Sequence, residues 1–194
     1  MDDLPHSHRP IAIRLAEPAD LPRLVDFNAA MARETEGREL ERSRLEAGTR
    51  AVFDQSERGF YVIAEQTAVP VGCLLVTREW SDWRNGWFWW IQSVYVVPDA
   101  RRHGVYRAMH RWVEDRARRA GDPRDGRPVV GLRLYVETHN ERAMATYAAL
   151  GMLPSHYRIF ETDFVLAPPE SPAQVRQHHR PGGGTSEPQA RNTT

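Results

Sequence analysis

The chain has 194 residues, enough for one ordinary domain with a two- or three-layer core and too few for a second large one. Its 26 basic residues are balanced by 26 acidic ones, so no polybasic surplus exists to draw nucleic acid or an anionic membrane, and any anion site has to be local. All the basic residues are arginine, which removes a Schiff-base lysine and a phosphate-loop lysine from the available chemistry.

Residues 1–10 are polar. The last 27, from Pro168, hold five prolines, the run Gly182-Gly183-Gly184 and only Val175 as a sizeable aliphatic side chain. Neither stretch buries enough surface to offset its ordering entropy, so the expected organisation is a flexible 1–10, a folded body over 11–167 and a disordered tail over 168–194. Ile11 to Leu15 alternates as a strand, and Pro18 opens a helical pattern running through Leu21, Leu24, Val25, Phe27, Asn28 and Met31. A second helix is expected from Glu39 to Phe53. Phe60 to Glu65 and Val69 to Trp80 then read as a hairpin joined at Gln66 to Ala68, and Trp87 to Val97 as a long strand stopped by Pro98.

From Arg101 to Ala120, Val105, Met109, Trp112, Val113 and Ala117 recur at helical spacing, with Gly121 where a helix would end. Pro128 to Val136 is a further strand, Asn140 caps a helix reaching Leu150, and Met152 to Val165 can supply one or two closing strands. This order predicts an α/β fold: a mixed, mostly antiparallel central sheet with helices on both faces, because a parallel pair needs a helical crossover.

Chemistry concentrates in two stretches. Val94 to Arg107 runs strand, arginine-rich turn, helix, aiming free backbone N–H groups and a helix dipole at one point suited to a phosphate, while Gly104 allows close approach. Taken alone, this turn reads equally well as a solvated helix start. Downstream, Leu132 to Met152 carries a strand, then Asn140, then a helix with Tyr147 ahead of Leu150-Gly151.

Together the two stretches resemble the GCN5-related N-acetyltransferases (GNAT), whose coenzyme A signature is Arg/Gln-x-x-Gly-x-Gly/Ala after a strand, followed by a strand, an Asn and a helix ending Tyr-x-x-x-Gly-Phe. Arg101-x-x-Gly104 fits the first part, and Asn140, Ala143, Tyr147 and Gly151 fit the second. Tyr106 stands where the family has Gly or Ala, so its ring points away from the phosphates or the loop is wider; Met152 replaces the common Phe.

The resemblance implies acetyl transfer from acetyl-coenzyme A to a primary amine by direct attack in a ternary complex. It implies that the backbone around Val94, Tyr95 and Val96 bonds the pantetheine amides, and that the loop Arg101, Arg102, His103, Gly104, Val105, Tyr106 and Arg107 cradles the diphosphate. Asn140 contacts the coenzyme, and Tyr147 protonates the departing sulfur. On helical spacing alone Tyr147 reads as packing and Asn140 as an N-cap. For the base, Glu137, Glu79 and His139 are the candidates, and a relay through a water held by Gln92 is the equal alternative.

Five of the six tryptophans fall between Trp80 and Trp90, where one strand face is core and the other lines an acceptor pocket or a homodimer interface. The histidines lack metal-ligand spacing, so no metal is expected. Cys73 is the single cysteine, which excludes an intramolecular disulfide. No signal-peptide-like or membrane-length apolar run occurs, and the expected location is the cytoplasm. The expected partner is an amine acceptor, with neither nucleic acid nor membrane. A non-catalytic acyl-coenzyme A sensor or interaction module on the same fold is the alternative, and a nucleotide-phosphate binder of unrelated fold comes third.

Overall fold

The computed structural model describes residues 10–123 and 125–166. The expectations for the first nine residues and for the tail lie outside the described residues. Along the chain stand β1 (Ile11–Leu15), α1 (Leu21–Glu36), α2 (Arg42–Asp54), β2 (Phe60–Gln66), β3 (Val69–Ser81), β4 (Gly86–Val96), α3 (Val105–Ala120), β5 (Val129–Arg133) and α4 (Glu141–Ala149). The sheet order is β1-β2-β3-β4-β5, antiparallel through β4, with β5 parallel to β4 across the α3 crossover. This is the mixed, mostly antiparallel sheet expected from the element order.

Local chemistry sets the boundaries. α1 buries Leu21, Leu24, Val25, Phe27 and Ala32 along one stripe and stops at Gly37, whose φ of 64° lies in the left-handed region. α2 starts at Arg42 rather than Glu39 because the Glu41 carboxylate caps it, accepting from the N–H of Ser43 at 2.8 Å and Arg44 at 2.9 Å. Thr67 and Ala68 both have positive φ, the geometry that matches a two-residue hairpin turn to the twist of its strands.

Alternate residues of each strand point to opposite faces, and each face carries its own core. On one, Val62, Leu74, Val76, Trp89 and Ile91 pack against Val105, Met109 and Val113 of α3. On the other, Ile63, Cys73 and Tyr95 pack against Leu24 and Phe27 of α1. Helices therefore cover both faces, and each large side chain so buried contributes roughly 1.5–3 kcal/mol.

A buried ion pair sits within the first of these layers. Arg78 Nε donates to Asp122 Oδ2 at 2.6 Å, and Trp89 Nε1 donates to the same oxygen at 3.0 Å. Arg78 Nη1 also reaches the Ser56 carbonyl at 2.6 Å, which ties the end of α2 to the strands. Asp122 is fully buried and its charge is met by a guanidinium and an indole N–H, the condition under which a buried carboxylate is tolerated.

Two elements differ from expectation. β5 ends at Arg133, three residues early, because beyond that point it no longer runs beside β4. Among the described residues 152–166 there is no strand. Local side-chain bonds take backbone donors there: Asp163 Oδ1 accepts from the N–H of Val165 at 2.7 Å and of Leu166 at 2.8 Å, a turn that competes with any ladder. No helix among the described residues is long and apolar enough to cross a membrane.

Candidate active site

β4 outruns its neighbour. Its pairing with β5 ends at Trp90 opposite Arg133, while its pairing with β3 continues to Val96 opposite Gly72. The edge of β4 from Ile91 to Val96 is thus left without a strand partner on the β5 side. Within this stretch β4 also bulges: Ile91 pairs Val76 and Ser93 pairs Leu75, leaving Gln92 as an extra residue. The bulge switches the parity of the strand. Trp89 and Ile91 face α3 before it, and Val94 and Val96 pack toward the same core after it, while Tyr95 turns to α1.

Gln92 closes the base of the fork. Its Nε2 donates to the Tyr135 hydroxyl just beyond β5, and its Oε1 accepts from Thr77 Oγ1 at 3.3 Å. Tyr135 packs against Trp90, with ring centroids 5.3 Å apart. Glu79 lies on the same strand face, where Arg133 Nη1 binds both of its oxygens at 2.7 and 2.9 Å and Trp90 Nε1 donates to one of them. Arg133 in turn stacks on Phe88, 3.6 Å from the ring centroid. Gly131 makes room for that ring, since a Cβ there would meet Phe88 at 2.6 Å. Alternation puts Trp87 and Trp89 on one face and Trp90 on the other: Trp89 is core, Trp87 packs partly buried against the same core and edge-on to Trp80 at 4.9 Å, Trp90 meets Tyr135, and Trp83 at the hairpin tip is 85% exposed.

At the far end of β4 the chain turns through Pro98–Ala100 into the arginine-rich loop. α3 starts at Val105, four residues later than its hydrophobic spacing suggests, because Arg102 at φ 69° and Gly104 at φ 81° hold the loop in the left-handed region. No side chain caps the helix, and its first internal bond runs from the Ala108 N–H to the Gly104 carbonyl at 2.9 Å. The N–H groups of Val105, Tyr106 and Arg107 thus have no acceptor within the helix. A Cβ on Gly104 would meet nothing within 4 Å, so the backbone there is open to a ligand.

Tyr106 turns inward. Its ring lies 5.5 Å from Tyr147 and 5.9 Å from His110, and its buried hydroxyl has no hydrogen-bond partner among the described residues. The ring thus packs against α4 and His110. Tyr147 is half-buried, and burial pushes its phenol above the ordinary value. Asn140 caps α4, its Oδ1 accepting from the Ala143 N–H at 3.0 Å. Glu137 lies in the turn between β5 and α4, exposed and bonded to His139 Nδ1 at 2.6 Å; that bond holds its carboxyl below the usual carboxylate range.

Arg101 does not extend into solvent. Its Nε donates to the Val96 carbonyl at 2.7 Å, and its Nη2 meets Glu34 Oε2 at 2.5 Å. The Tyr95 hydroxyl bonds the other Glu34 oxygen at 3.0 Å. These groups border a cleft of about 260 Å³ between the last turns of α1, with Met31, Glu34 and Thr35, and the Val94 to Val96 stretch of β4. Glu34 and Tyr135 carried no signal in the sequence, since both reach the site through contacts 43 to 67 residues apart. A larger hollow of about 400 Å³ lies between α3, β5 and the end of α4, beside the buried His110, and no β4 residue lines it.

An open strand edge for amides, an uncapped helix start beside Gly104 for a diphosphate and a buried tyrosine beyond them fit a coenzyme A ligand. Among the described residues no cluster of His, Cys, Asp or Glu suits a metal ion. The fold is that of the acetyltransferases. A family profile described as Acetyltransferase (GNAT) family matches residues 24–152, and the chain belongs to that family.

Solved structures agree. A possible acetyltransferase from Clostridium difficile 630 is 37% identical, with a TM-score of 0.70 over 80% of this chain and 99% of that one. Ribosomal-protein-alanine N-acetyltransferase from Brucella melitensis biovar Abortus 2308 shares the fold at 14% identity, with a TM-score of 0.61 over 80% of this chain and all of that one. The aminoglycoside N-acetyltransferase AAC(6')-Iy, solved with CoA, shares it at 13% identity and a TM-score of 0.59, over 80% of this chain and 96% of that one. A search of curated proteins finds no match.

Proposed function

We propose that the protein is an N-acetyltransferase that passes acetyl from acetyl-coenzyme A to a primary amine by direct attack within a ternary complex, in the cytoplasm. The observation that carries this reading is the edge of β4 from Ile91 to Val96, which has no strand partner on the β5 side and, apart from the Val96 carbonyl held by Arg101, offers backbone groups beside an uncapped helix start. Acetyl-coenzyme A supplies an acyl carbon on a thiolate leaving group.

The chain's own groups do the rest. The edge at Val94, Tyr95 and Val96 holds the pantetheine amides as an added strand would, which fixes the thioester against β4. The loop from Arg101 to Arg107 holds the diphosphate through the free N–H groups at the start of α3. Asn140 positions the start of α4 and contacts the coenzyme. As the amine nitrogen bonds to the acyl carbon, a backbone N–H of β4 receives the developing oxyanion. The C–S bond then breaks, and Tyr147 gives its proton to the sulfur. Burial suits it to that task, because its phenol stays protonated through the neutral range.

An amine acceptor arrives protonated, so its proton must leave before attack. Gln92 holds the water that carries the proton away, a role supported by its exposure at the bulge and its bonds to Thr77 and Tyr135. Glu137 is the second candidate, and its depressed affinity for protons makes it the weaker one. Glu79 is committed to Arg133.

Incubation with acetyl-coenzyme A and a panel of primary amines should release free thiol in proportion to acetylated product. Tight coenzyme binding with no turnover over a broad panel would instead support a coenzyme sensor.

A further inference from the structure

The Glu34 to Arg101 contact joins the cleft beside α1 to the loop that precedes α3. Glu34 stands in the last turns of α1 on the wall of the 260 Å³ cleft, and Arg101 opens the loop that leads to the α3 N-terminus. Both side chains are 39% exposed, and an ion pair so exposed is worth little, because water competes for each partner. A diphosphate at the start of α3 brings more charge than one carboxylate and meets free N–H groups as well, so it outbids Glu34 for the guanidinium.

Resting on the acetyltransferase reading, we propose that Glu34 and the coenzyme diphosphate compete for Arg101, so that coenzyme binding uncovers the Glu34 carboxylate as the anchor for a cationic acceptor. Once Arg101 leaves, Glu34 keeps only the Tyr95 hydroxyl bond. The remaining lining is Met31, Thr35 and Tyr95, with β4 at Val94 and Val96 along its edge, and it carries one net negative charge, which suits an aliphatic chain bearing an ammonium group. The floor is the same stretch of β4 that would hold the thioester, so a cation anchored there lies beside the acyl group. The second substrate therefore finds its site completed only after the first has bound.

Calorimetry with coenzyme A on the full chain tests the competition. Glu34→Gln should bind coenzyme A about two- to fivefold more tightly than wild type, the range an exposed ion pair commands. Arg101→Gln should bind it more weakly, and adding Glu34→Gln to that variant should change nothing further. A merely structural role for Glu34 would weaken binding or leave it unaltered, and either result overturns the proposal, as does tightening that persists without Arg101. Spermidine tests the anchor: it should bind the coenzyme-loaded wild type more tightly than the free protein, and Glu34→Gln should erase the difference. Equal binding in the two states, or none at millimolar spermidine, overturns the anchor. If wild type fails to bind coenzyme A at all, the acetyltransferase reading itself falls, whereas normal wild-type binding with an unresponsive Glu34→Gln removes this inference alone.

Discussion

The rings of Tyr106 and Tyr147 meet at a steep angle, 69° between planes and 5.5 Å between centroids, linking the first turn of α3 to the last turn of α4. The contact places the tyrosine assigned to proton donation against a residue whose own hydroxyl is buried with no hydrogen-bond partner among the described residues. Such a hydroxyl is a net cost to the fold, while the ring that carries it is a gain. Tyr106→Phe should therefore stabilise the protein by about 1 kcal/mol, a rise of roughly 2–4 °C in Tm for a chain of this size. Tyr106→Ala should lower Tm and disturb turnover, because Tyr147 loses its support. A thermal melt of both variants decides the matter.

Tyr147→Phe should keep coenzyme binding nearly intact and slow thiol release by roughly 100-fold, at the low end for general acids because a thiolate leaves well without full protonation. Since burial raises the phenol's pKa, the wild-type rate should hold until the pH passes the ordinary phenol value of about 10 and fall only above it. The variant should lack that fall. Single-turnover rates across pH would show it.

Asp122 is fully buried and binds both Arg78 and Trp89. Asp122→Ala strands the Arg78 guanidinium and the Trp89 indole N–H in the core, and should cost about 3–5 kcal/mol in denaturant unfolding. Replacing both charged partners by apolar residues of similar volume should cost less than the single change. The comparison separates the energy of the pair from the penalty of leaving one charge buried alone.

Cys73 lies in the α1-facing core, where burial pushes its thiol up to about 12. The folded protein should leave Ellman's reagent unreacted at pH 8, so thiol counted in an activity assay comes from coenzyme, and one equivalent should appear on denaturation. The neutral thiol is favoured in the folded state, so this group's contribution to stability is complete below about 8.5 and declines as pH rises from there toward 12. A pH series of melting curves, with Cys73→Ala as control, shows whether the alkaline loss belongs to this residue.

Sequence periodicity was enough to locate every described strand and helix of the sheet, because α1, α3 and the β2 to β4 hairpins each bury one regular face. Periodicity gave no sign of the fork beside β4; only the family resemblance pointed to the backbone around Val94 to Val96 as a binding edge. What it could not show were contacts between side chains distant in the chain. The Arg78 to Asp122 pair spans 44 residues and Arg101 to Glu34 spans 67, and nothing in an arginine-rich, charge-balanced sequence marks which carboxylate each guanidinium chooses. The closing strands expected over 152–165 are absent among the described residues, and at their far end the Asp163 side chain takes the N–H groups of Val165 and Leu166.

The central claim, that the parted strands and the start of α3 hold coenzyme A, is tested most directly by titrating the protein with coenzyme A and, separately, with ATP. Saturable heat at one coenzyme per chain is expected. At a hundredfold excess over Kd the melting temperature should rise by about 5 °C or more, with ATP having little effect. Absence of both heat and thermal shift at millimolar coenzyme A, or a preference for ATP, would contradict it.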